Sequence, residues 1–222
     1  MPLELQQATE ADARRSAEIE GAAHADNKFN PILFPGPHPP DAFNHRAKGL
    51  IDELKNDPTT RWSKVVDTDL PEGEQMISFS KWQIYTEPPK PAPLRDFGSW
   101  ANAEACEMLF GGTRDQKQRL WGDRPRIHMS LLYTDPKHQG RGAGRMLVEQ
   151  VKDEARKLGL TASLQSSPAG HQLYKKCGFR DVDLLSTDLS KWGAPEMHYI
   201  WAMEWDPSKL STYHKEDILR GR

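Results

Sequence analysis

The sequence is poor in cysteine, in net charge and in long apolar runs, and each shortage narrows the classes of protein it can encode. Only two cysteines occur, Cys106 and Cys177, so at most one disulfide can form and a reducing compartment is favoured. Lys and Arg number 30 against 32 Asp and Glu, which gives no overall attraction for nucleic acid or an anionic membrane. No apolar run approaches the roughly 18 residues of a membrane span, and residues 1–6 lack a secretory signal layout. We therefore expect a cytoplasmic protein, with the nucleus not excluded, that binds neither nucleic acid nor membrane.

The length and composition fit one mixed α/β domain with excursions from its core. A chain of 222 residues can bury a sizeable core, but only 36% of the residues are apolar and the mean hydropathy is −0.77. Much of the chain must therefore lie at the surface, as the 17 prolines and 16 glycines also indicate. We predict a single domain over residues 1–206, an insertion at about 88–123, and a polar C-terminal tail at 207–222.

Local patterns predict helices and strands on both sides of the insertion. Before it, we predict a strand at 3–8, a helix from 9 to about 25, a helix at 41–55, and a hairpin of strands at 62–67 and 75–85. Five prolines between Asn30 and Pro40 predict a loop, and residues 100–110 are helical in composition. After it, we predict strands at 127–133, 160–165 and 199–205, and helices at 143–158 and from Pro168 to about Cys177.

A glycine-rich loop joins the strand at 127–133 to the helix that begins near residue 143. Its members combine backbone freedom with positive charge: Gly140, Gly142, Gly144, Arg141 and Arg145. Unpaired N–H groups at a helix start point outward, and the helix dipole adds roughly half a positive charge there. The loop therefore predicts an anion site that suits a phosphate group.

Three other interpretations of the loop fit less well. A P-loop requires Gly-Lys-Ser/Thr, which is absent here. A dinucleotide fingerprint requires a third glycine where Arg145 stands and an acid about 20 residues later, yet no acid occurs between Glu154 and Asp181. A tight turn that binds no ligand remains the third alternative.

Two motifs resemble the GNAT superfamily of acetyl-CoA-dependent N-acyltransferases. The run from Tyr133 to Gly144 is similar to the central family signature, and Gln139, Gly142 and Gly144 fill its three specified positions. The second family motif follows at the expected distance as Leu-Tyr-Lys-Lys-Cys-Gly-Phe, residues 173–179. In one departure, Ser167 stands where this motif usually begins with Asn. The resemblance covers about 126–179 in detail, and the chain also resembles small fungal-type members of the superfamily.

The resemblance implies a GNAT fold, an α/β (α+β) architecture in which helices flank a central, twisted and mostly antiparallel sheet with a V-shaped cofactor cleft. Acetyl-CoA is then the co-substrate, and a homodimer is possible. The pantetheine arm would pair with the backbone of Leu132, Tyr133 and Thr134, with the Leu132 N–H polarising the thioester carbonyl, and Ser167 would also contact the arm. The pyrophosphate would lie on the loop's N–H groups, contributed by Gln139, Gly140, Arg141, Gly142, Ala143, Gly144 and Arg145.

Two residues are the main candidates for proton transfer. Tyr174 matches the family tyrosine that protonates the leaving thiolate; the alternative is a packing residue that contacts the cofactor. His128 lies four residues before Leu132, a spacing that predicts both side chains on one sheet face, and it is the candidate base. It could instead be structural, with a water chain removing the proton. His198 and Glu104 are weaker candidates.

Together these features predict acetyl transfer from acetyl-CoA to a primary amine within a ternary complex. The acceptor would be a small molecule, a lysine side chain or a peptide N-terminus, and the insertion would cover it, with Trp100 and Trp121 lining its pocket. No metal is expected, because the eight histidines show no HExxH or similar ligand spacing. O-acyl or longer-chain transfer, and acyl-CoA binding without catalysis, remain alternatives.

Overall fold

The computed structural model describes residues 2–38, 40–89 and 97–209, and it contains a seven-stranded sheet. The strands are β1 (Leu3–Gln7), β2 (Thr60–Asp67), β3 (Met76–Tyr85), β4 (Arg126–Thr134), β5 (Thr161–Ser166), β6 (Arg180–Thr187) and β7 (His198–Trp205). Their order in the sheet is β1-β2-β3-β4-β5-β7-β6, and neighbouring strands run antiparallel except for β4 and β5, which are parallel. The expected mostly antiparallel α/β fold is confirmed.

Helices cover both faces of this sheet. They are α1 (Ala13–Ala23), α2 (Asn30–Leu33), α3 (Ala42–Asn56), α4 (Ala103–Cys106), α5 (Gly112–Trp121), α6 (Ala143–Leu158) and α7 (Pro168–Lys176), with a π-helical turn, Glu107–Gly111, between α4 and α5. Helices α6 and α7 pack on one face, whereas α1, α3 and α5 pack on the other. Of the described helices, none is long and apolar enough to cross a membrane.

Helix α6 shows how the sequence pattern produces the fold. Leu147, Val148, Val151 and Ala155 recur at helical spacing and are fully buried against the sheet, which forms a core face. The helix ends at Gly159, whose φ of 66° lies in the left-handed region that glycine adopts without strain. The predicted bounds of this helix, 143–158, are confirmed.

The sheet divides at the parallel pair. Strands β4 and β5 pair through only four positions, from Arg126 opposite Thr161 to Met129 opposite Leu164. Beyond Met129, residues 130–134 of β4 continue along β3 alone, so their side toward β5 is open within the described chain. This divergence produces a V-shaped gap between the two halves of the sheet.

Two elements differ from the sequence predictions. Strand β6 was not predicted, because it is a mostly exposed edge strand whose only apolar alternation is short, from Asp181 to Leu184. Part of the proline-rich segment is helical instead of loop, since Pro31 occupies the first turn of α2, where its missing N–H leaves no hydrogen bond unmade. Residues 90–96 of the predicted insertion and 210–222 of the predicted tail lie outside the described residues.

Candidate functional site

The glycine loop presents open backbone at the start of α6. Gly140 and Gly142 have φ values of 74° and 95°, and a Cβ built on either would meet no atom within 4 Å. The N-cap residue is Gly142, which has no side chain to cap the first-turn N–H groups, and these groups have no intrahelical acceptor. Gln139 links the loop to the end of β4, because its Nε2 donates a hydrogen bond to the Thr134 carbonyl at 3.1 Å. The loop can therefore bind an anion through its backbone.

The two loop arginines differ in their surroundings. Arg141 turns back from the loop and donates to Asp67 Oδ2 at 2.5 Å, and this hydrogen bond holds the pKa of the nearly buried Asp67 below its usual value. Arg145 is exposed at the start of α6. Asp67 therefore balances much of the Arg141 charge, whereas Arg145 adds its charge at the helix terminus.

Gly144 lies where three predicted cofactor-binding segments converge. A Cβ built on Gly144 would be 3.2 Å from Leu173 Cδ2, 3.5 Å from Leu132 Cδ2 and 3.6 Å from Thr134 Oγ1. Glycine thus lets the first turn of α6 approach both the end of β4 and helix α7. The glycine loop and the end of β4, which are close in sequence, thus meet the second motif, which follows only after α6 and β5.

Beyond Met129, where β4 diverges from β5, the main-chain N–H and C=O groups of β4 point in defined directions. Asp135 N donates to the Ile77 carbonyl at 2.9 Å, and the Tyr133 carbonyl accepts from Ser78 Oγ at 2.7 Å, so both residues direct main-chain groups toward β3. Because these directions alternate along a strand, Leu132 and Thr134 direct theirs toward the open gap. Leu132 and Thr134 can therefore offer main-chain groups to a ligand in the gap. Tyr133, which was predicted to pair with the pantetheine arm as well, directs its main-chain groups toward β3 instead.

Helix α7 places two candidate residues beside the gap. Tyr174 is buried in the same apolar cluster that Leu132 and Leu173 pack against, and burial raises the pKa of its phenol above the usual value. The phenol therefore keeps its proton at neutral pH. Ser167 occupies the N-cap position of α7, but its side chain makes no capping hydrogen bond and it stays exposed.

On the opposite sheet face, a cavity of about 820 Å³ opens beside the gap. Helices α1 and α2, the segment 109–113 and the inner residues of β4 and β7 line it, and Ser167 lies at its border with α7. Its wall combines apolar and aromatic side chains, among them Phe34, Phe110 and Tyr133, with polar ones such as Asn27 and Asn30. A cavity of this size can hold a small molecule.

An ion pair lies in the cavity wall and was not predicted from the sequence. Arg46 donates to both carboxylate oxygens of Glu20, at 2.7 and 3.1 Å, and the Tyr133 hydroxyl donates to Glu20 Oε1 at 3.0 Å. Burial alone would raise the pKa of Glu20, but the Arg46 charge and these hydrogen bonds outweigh it and hold that pKa below its usual value. Glu20 is therefore an ionised carboxylate whose charge Arg46 balances.

His128 lies outside this constellation. A register shift opposite Ser130 changes the alternation of β4, so Leu132 packs on the face of Ile127 and Met129 whereas His128 faces Trp121 in α5. The expectation that His128 and Leu132 share a face is therefore wrong. His128 is 3% exposed, its Nδ1 lies 3.0 Å from Ser163 Oγ, and it is not among the residues lining the cavity. Burial, with the cations of Lys117, Arg126 and Lys81 adding to it, holds its pKa well below the usual value.

His198, at the start of β7, lines the cavity. Its ring packs edge-on against Phe29, with the centroids 4.6 Å apart. Its Nδ1 is buried, without a hydrogen-bond partner in the described part of the chain, and burial lowers its pKa. His198 is therefore a neutral imidazole at the cavity wall at pH 7.

Other candidates lie away from the cavity. Trp100 and Trp121, which were predicted to line an acceptor pocket, do not border this cavity, and buried Trp121 donates to Glu204 Oε1 at 2.6 Å because α5 packs on β7. Glu104 is exposed and forms an ion pair with Lys191. Cys106 and Cys177 are buried and not joined in a disulfide, and burial raises the pKa of the Cys177 thiol. Within residues 2–38, 40–89 and 97–209, no group of three His, Cys, Asp or Glu residues could hold a metal ion.

Comparisons with known proteins agree with this geometry. A family model described as Acetyltransferase (GNAT) family matches residues 79–179. The search of curated proteins found no match.

Solved structures of the same fold cover nearly the whole chain. The C-terminal condensation domain of Ebony, in complex with beta-alanyl-dopamine, gives a TM-score of 0.67 at 12% identity over 93% of this chain and 99% of that chain. A mosquito arylalkylamine N-acetyltransferase like 5b gives 0.61 at 17% over 92% and 100%. NAA60 of Arabidopsis thaliana, in complex with acetyl-CoA, gives 0.53 at 15% over 93% and 99%.

The family match and the fold lead to one assignment. The matched residues contain both motifs on which the resemblance was based, the glycine loop before α6 and the run through α7. The structural similarities extend the same fold over the rest of the described chain. Residues 79–179 therefore match the acetyltransferase model of the GNAT family, and the described chain has the fold of that family.

Proposed function

We propose that the protein transfers the acetyl group of acetyl-CoA directly to a primary amine bound in the cavity. The convergence of Leu132, Thr134 and Leu173 at Gly144 carries this proposal, because it joins the anion-binding loop to the open strand edge and to Tyr174. The cavity begins at the same splayed segment of β4, where Ser130 and Leu131 line it. A donor site on one sheet face thus meets an acceptor site on the other.

In this proposal, backbone groups hold the donor. The N–H groups of residues 139–145 bind the pyrophosphate, and exposed Arg145 adds positive charge. Leu132 and Thr134 offer main-chain groups to the pantetheine arm, and the Leu132 N–H stabilises the oxyanion that develops on the thioester carbonyl. Ser167 contacts the arm from the start of α7.

The transfer requires two proton movements. The amine nitrogen forms a bond to the acetyl carbonyl carbon while the carbon–sulfur bond breaks, and Tyr174 gives its phenolic proton to the departing thiolate. The amine must lose a proton in the same reaction. Tyr174 is protonated at neutral pH and so has a proton to give, while burial, which raises the pKa of its phenol, makes it a weaker acid than a free tyrosine.

For the base, the cavity position favours His198 over His128. His198 lines the cavity and is neutral, so it can take the amine proton directly or through water. His128 remains the alternative, although its complete burial and the nearby cations disfavour the protonated form. The two histidines lie on different strands and can be tested separately.

The acceptor class in this proposal is a small-molecule, lysine or N-terminal amine. Solved structures of this fold include an arylalkylamine N-acetyltransferase-like protein and a spermidine/spermine N-acetyltransferase, so amine acceptors are compatible with the fold. The predicted insertion contributes Leu109, Phe110 and Thr113 to the cavity wall, which supports its proposed role over the acceptor.

Thiol release from acetyl-CoA with a panel of amines and alcohols tests the proposal, after correction for hydrolysis. We expect amine-dependent release in the wild type and a fall of about 10²-fold in kcat for Tyr174→Phe. If acetyl-CoA binds but no thiol is released with any acceptor, and Tyr174→Phe leaves this binding unchanged, the protein would instead be a non-catalytic acyl-CoA-binding protein. Release only with alcohols or longer acyl donors would favour the other transferase reactions.

A further inference from the structure

The cavity is neutral overall, although a carboxylate lies in its wall. Among the described lining residues, Glu20 and Arg46 are the two with formally charged side chains, and each is the other's partner. The remaining polar lining includes three histidines, His24, His38 and His198, none of which adds negative charge. An ammonium group entering this cavity therefore finds no unpaired carboxylate.

Aromatic side chains form another part of the cavity wall. Phe110 lines the cavity and stacks on Phe97, with the centroids 5.4 Å apart, and Phe34 lies 6.3 Å from Phe110. Rings held in this way offer flat apolar surfaces to a guest ring. The polar side chains Ser130 and Ser167 line the part of the cavity that borders the gap between β4 and β5.

From this arrangement we infer that the acceptor is a compound with one amine on an aromatic or apolar body, and that Arg46 excludes di- and polyamines by neutralising Glu20. The inference rests on the proposed acetyl transfer and names the substrate class of the same site. The reacting amine enters as the neutral base toward the gap, while the body packs on Phe34 and Phe110. A second ammonium group would stay charged in a desolvated, uncompensated position, which is unfavourable.

Arg46 is the specificity-determining residue in this inference. Arg46→Gln would leave the Glu20 carboxylate without its cation, so a second ammonium group of a diamine could replace the guanidinium. Glu20→Gln is the matched control, because it breaks the same ion pair but leaves a positive charge in the wall. The two variants share the loss of folding stability and differ in the sign of the remaining charge.

The test compares kcat/KM for phenylethylamine and tryptamine with that for cadaverine and spermidine, in the wild type and both variants. The ratio between acceptors is measured on one sample, so a change in the folded fraction cancels. We expect the wild type to prefer the aromatic amines by about tenfold or more, Arg46→Gln to shift the ratio about tenfold toward the diamine, and Glu20→Gln not to shift it that way.

Equal or faster wild-type transfer to cadaverine or spermidine would overturn the inference alone, as would an unchanged ratio in Arg46→Gln. Calorimetric titration with CoA distinguishes a failure of this inference from a failure of the proposed function. A wild type that binds no CoA, or that releases no thiol with any amine, would overturn the proposed function and the inference with it.

Discussion

Gly142 and Gly159, at opposite ends of α6, allow the effect of a substitution on ligand binding to be distinguished from its effect on backbone strain. Gly142 and Gly159 both have positive φ, at 95° and 66°, and a Cβ on either would meet no atom within 4 Å. Alanine at either position should therefore lower the free energy of unfolding by about 1–2 kcal/mol through backbone strain alone. Only Gly142 lies at the proposed pyrophosphate site.

We expect the two variants to lose about the same free energy of unfolding. Gly142→Ala should in addition weaken CoA binding, whereas Gly159→Ala should leave CoA binding unchanged. Calorimetric titration gives the dissociation constants, and urea denaturation gives the free energies of unfolding. Equal CoA affinity in both variants would show that the loop does not hold the pyrophosphate.

The two histidines make a second prediction at this scale. His198→Gln should lower kcat by about 10²-fold with little change in stability, because it removes a neutral imidazole from the cavity wall. His128→Gln should act mainly on stability, since His128 is packed between Trp121 and Ser163. Steady-state kinetics and thermal unfolding of both variants decide between them: normal stability with a large loss of kcat in His128→Gln would assign the base to His128.

Sequence reasoning at this scale found residues within a motif and missed residues brought together by folding. The glycine loop was found from its local pattern of glycine and arginine, and Tyr174 was found because it lies in a short motif that resembles one of the GNAT superfamily. The Glu20, Arg46 and Tyr133 constellation was missed, since its members are 26 and 113 residues apart and lie on α1, α3 and β4. No local pattern relates such residues before the helices pack on the sheet.

Between elements, the Glu20–Arg46 pair links α1 to α3. Their side chains are 22% and 26% exposed, so solvent screens the pair less than it screens a surface pair. Removing one partner leaves the other charge half-buried, and Glu20→Gln should lower the free energy of unfolding at pH 7 by about 1–3 kcal/mol. The pair thus fixes α1 against α3 at the cavity wall.

This stabilisation should depend on pH with a defined sign. The folded pKa of Glu20 lies below its usual value, so its contribution is present above the unfolded pKa of about 4.3 and is lost as pH falls through the folded pKa. We expect the stability difference between wild type and Glu20→Gln, measured by urea denaturation, to shrink as pH falls below about 4. Glu196→Gln is the control: its partner Lys28 is 64% exposed, and the change should stay below about 0.5 kcal/mol. A difference that stays constant from pH 7 to 3 would contradict the proposed linkage.

Element prediction succeeded where periodicity is strong and failed where it is interrupted. Helix α6 has an amphipathic pattern and a glycine stop, so its bounds were predictable. The register shift opposite Ser130 adds one residue to β4, which reversed the expected face of His128 relative to Leu132. A bulge of this kind has no sequence signature in a single chain.

At the scale of the whole molecule, the proposed donor site lies between β4 and β5, the two neighbouring strands with the fewest paired residues. Only four residue pairs connect β4 to β5, whereas antiparallel pairing with β3 continues along the rest of β4. A ligand that contacts Leu132 and Thr134 on one side and α7 on the other would bridge both halves. Binding to the folded state alone then stabilises it by about 2.7 kcal/mol at 100 times the dissociation constant.

We therefore expect CoA at that concentration to raise the melting temperature by about 5–10 °C, and to do so far less in Gly142→Ala at the same concentration. Hydrogen exchange should locate the effect, because bridged amides open less often. Protection should increase at residues 130–134, 139–146 and 167–174, and not at β1, which pairs with β2 at the other end of the sheet. Protection spread evenly over the sheet, with β1 included, would mean that CoA binds without bridging the gap; protection confined to 139–146 would leave the loop as an anion site and remove β4 and α7 from the donor site.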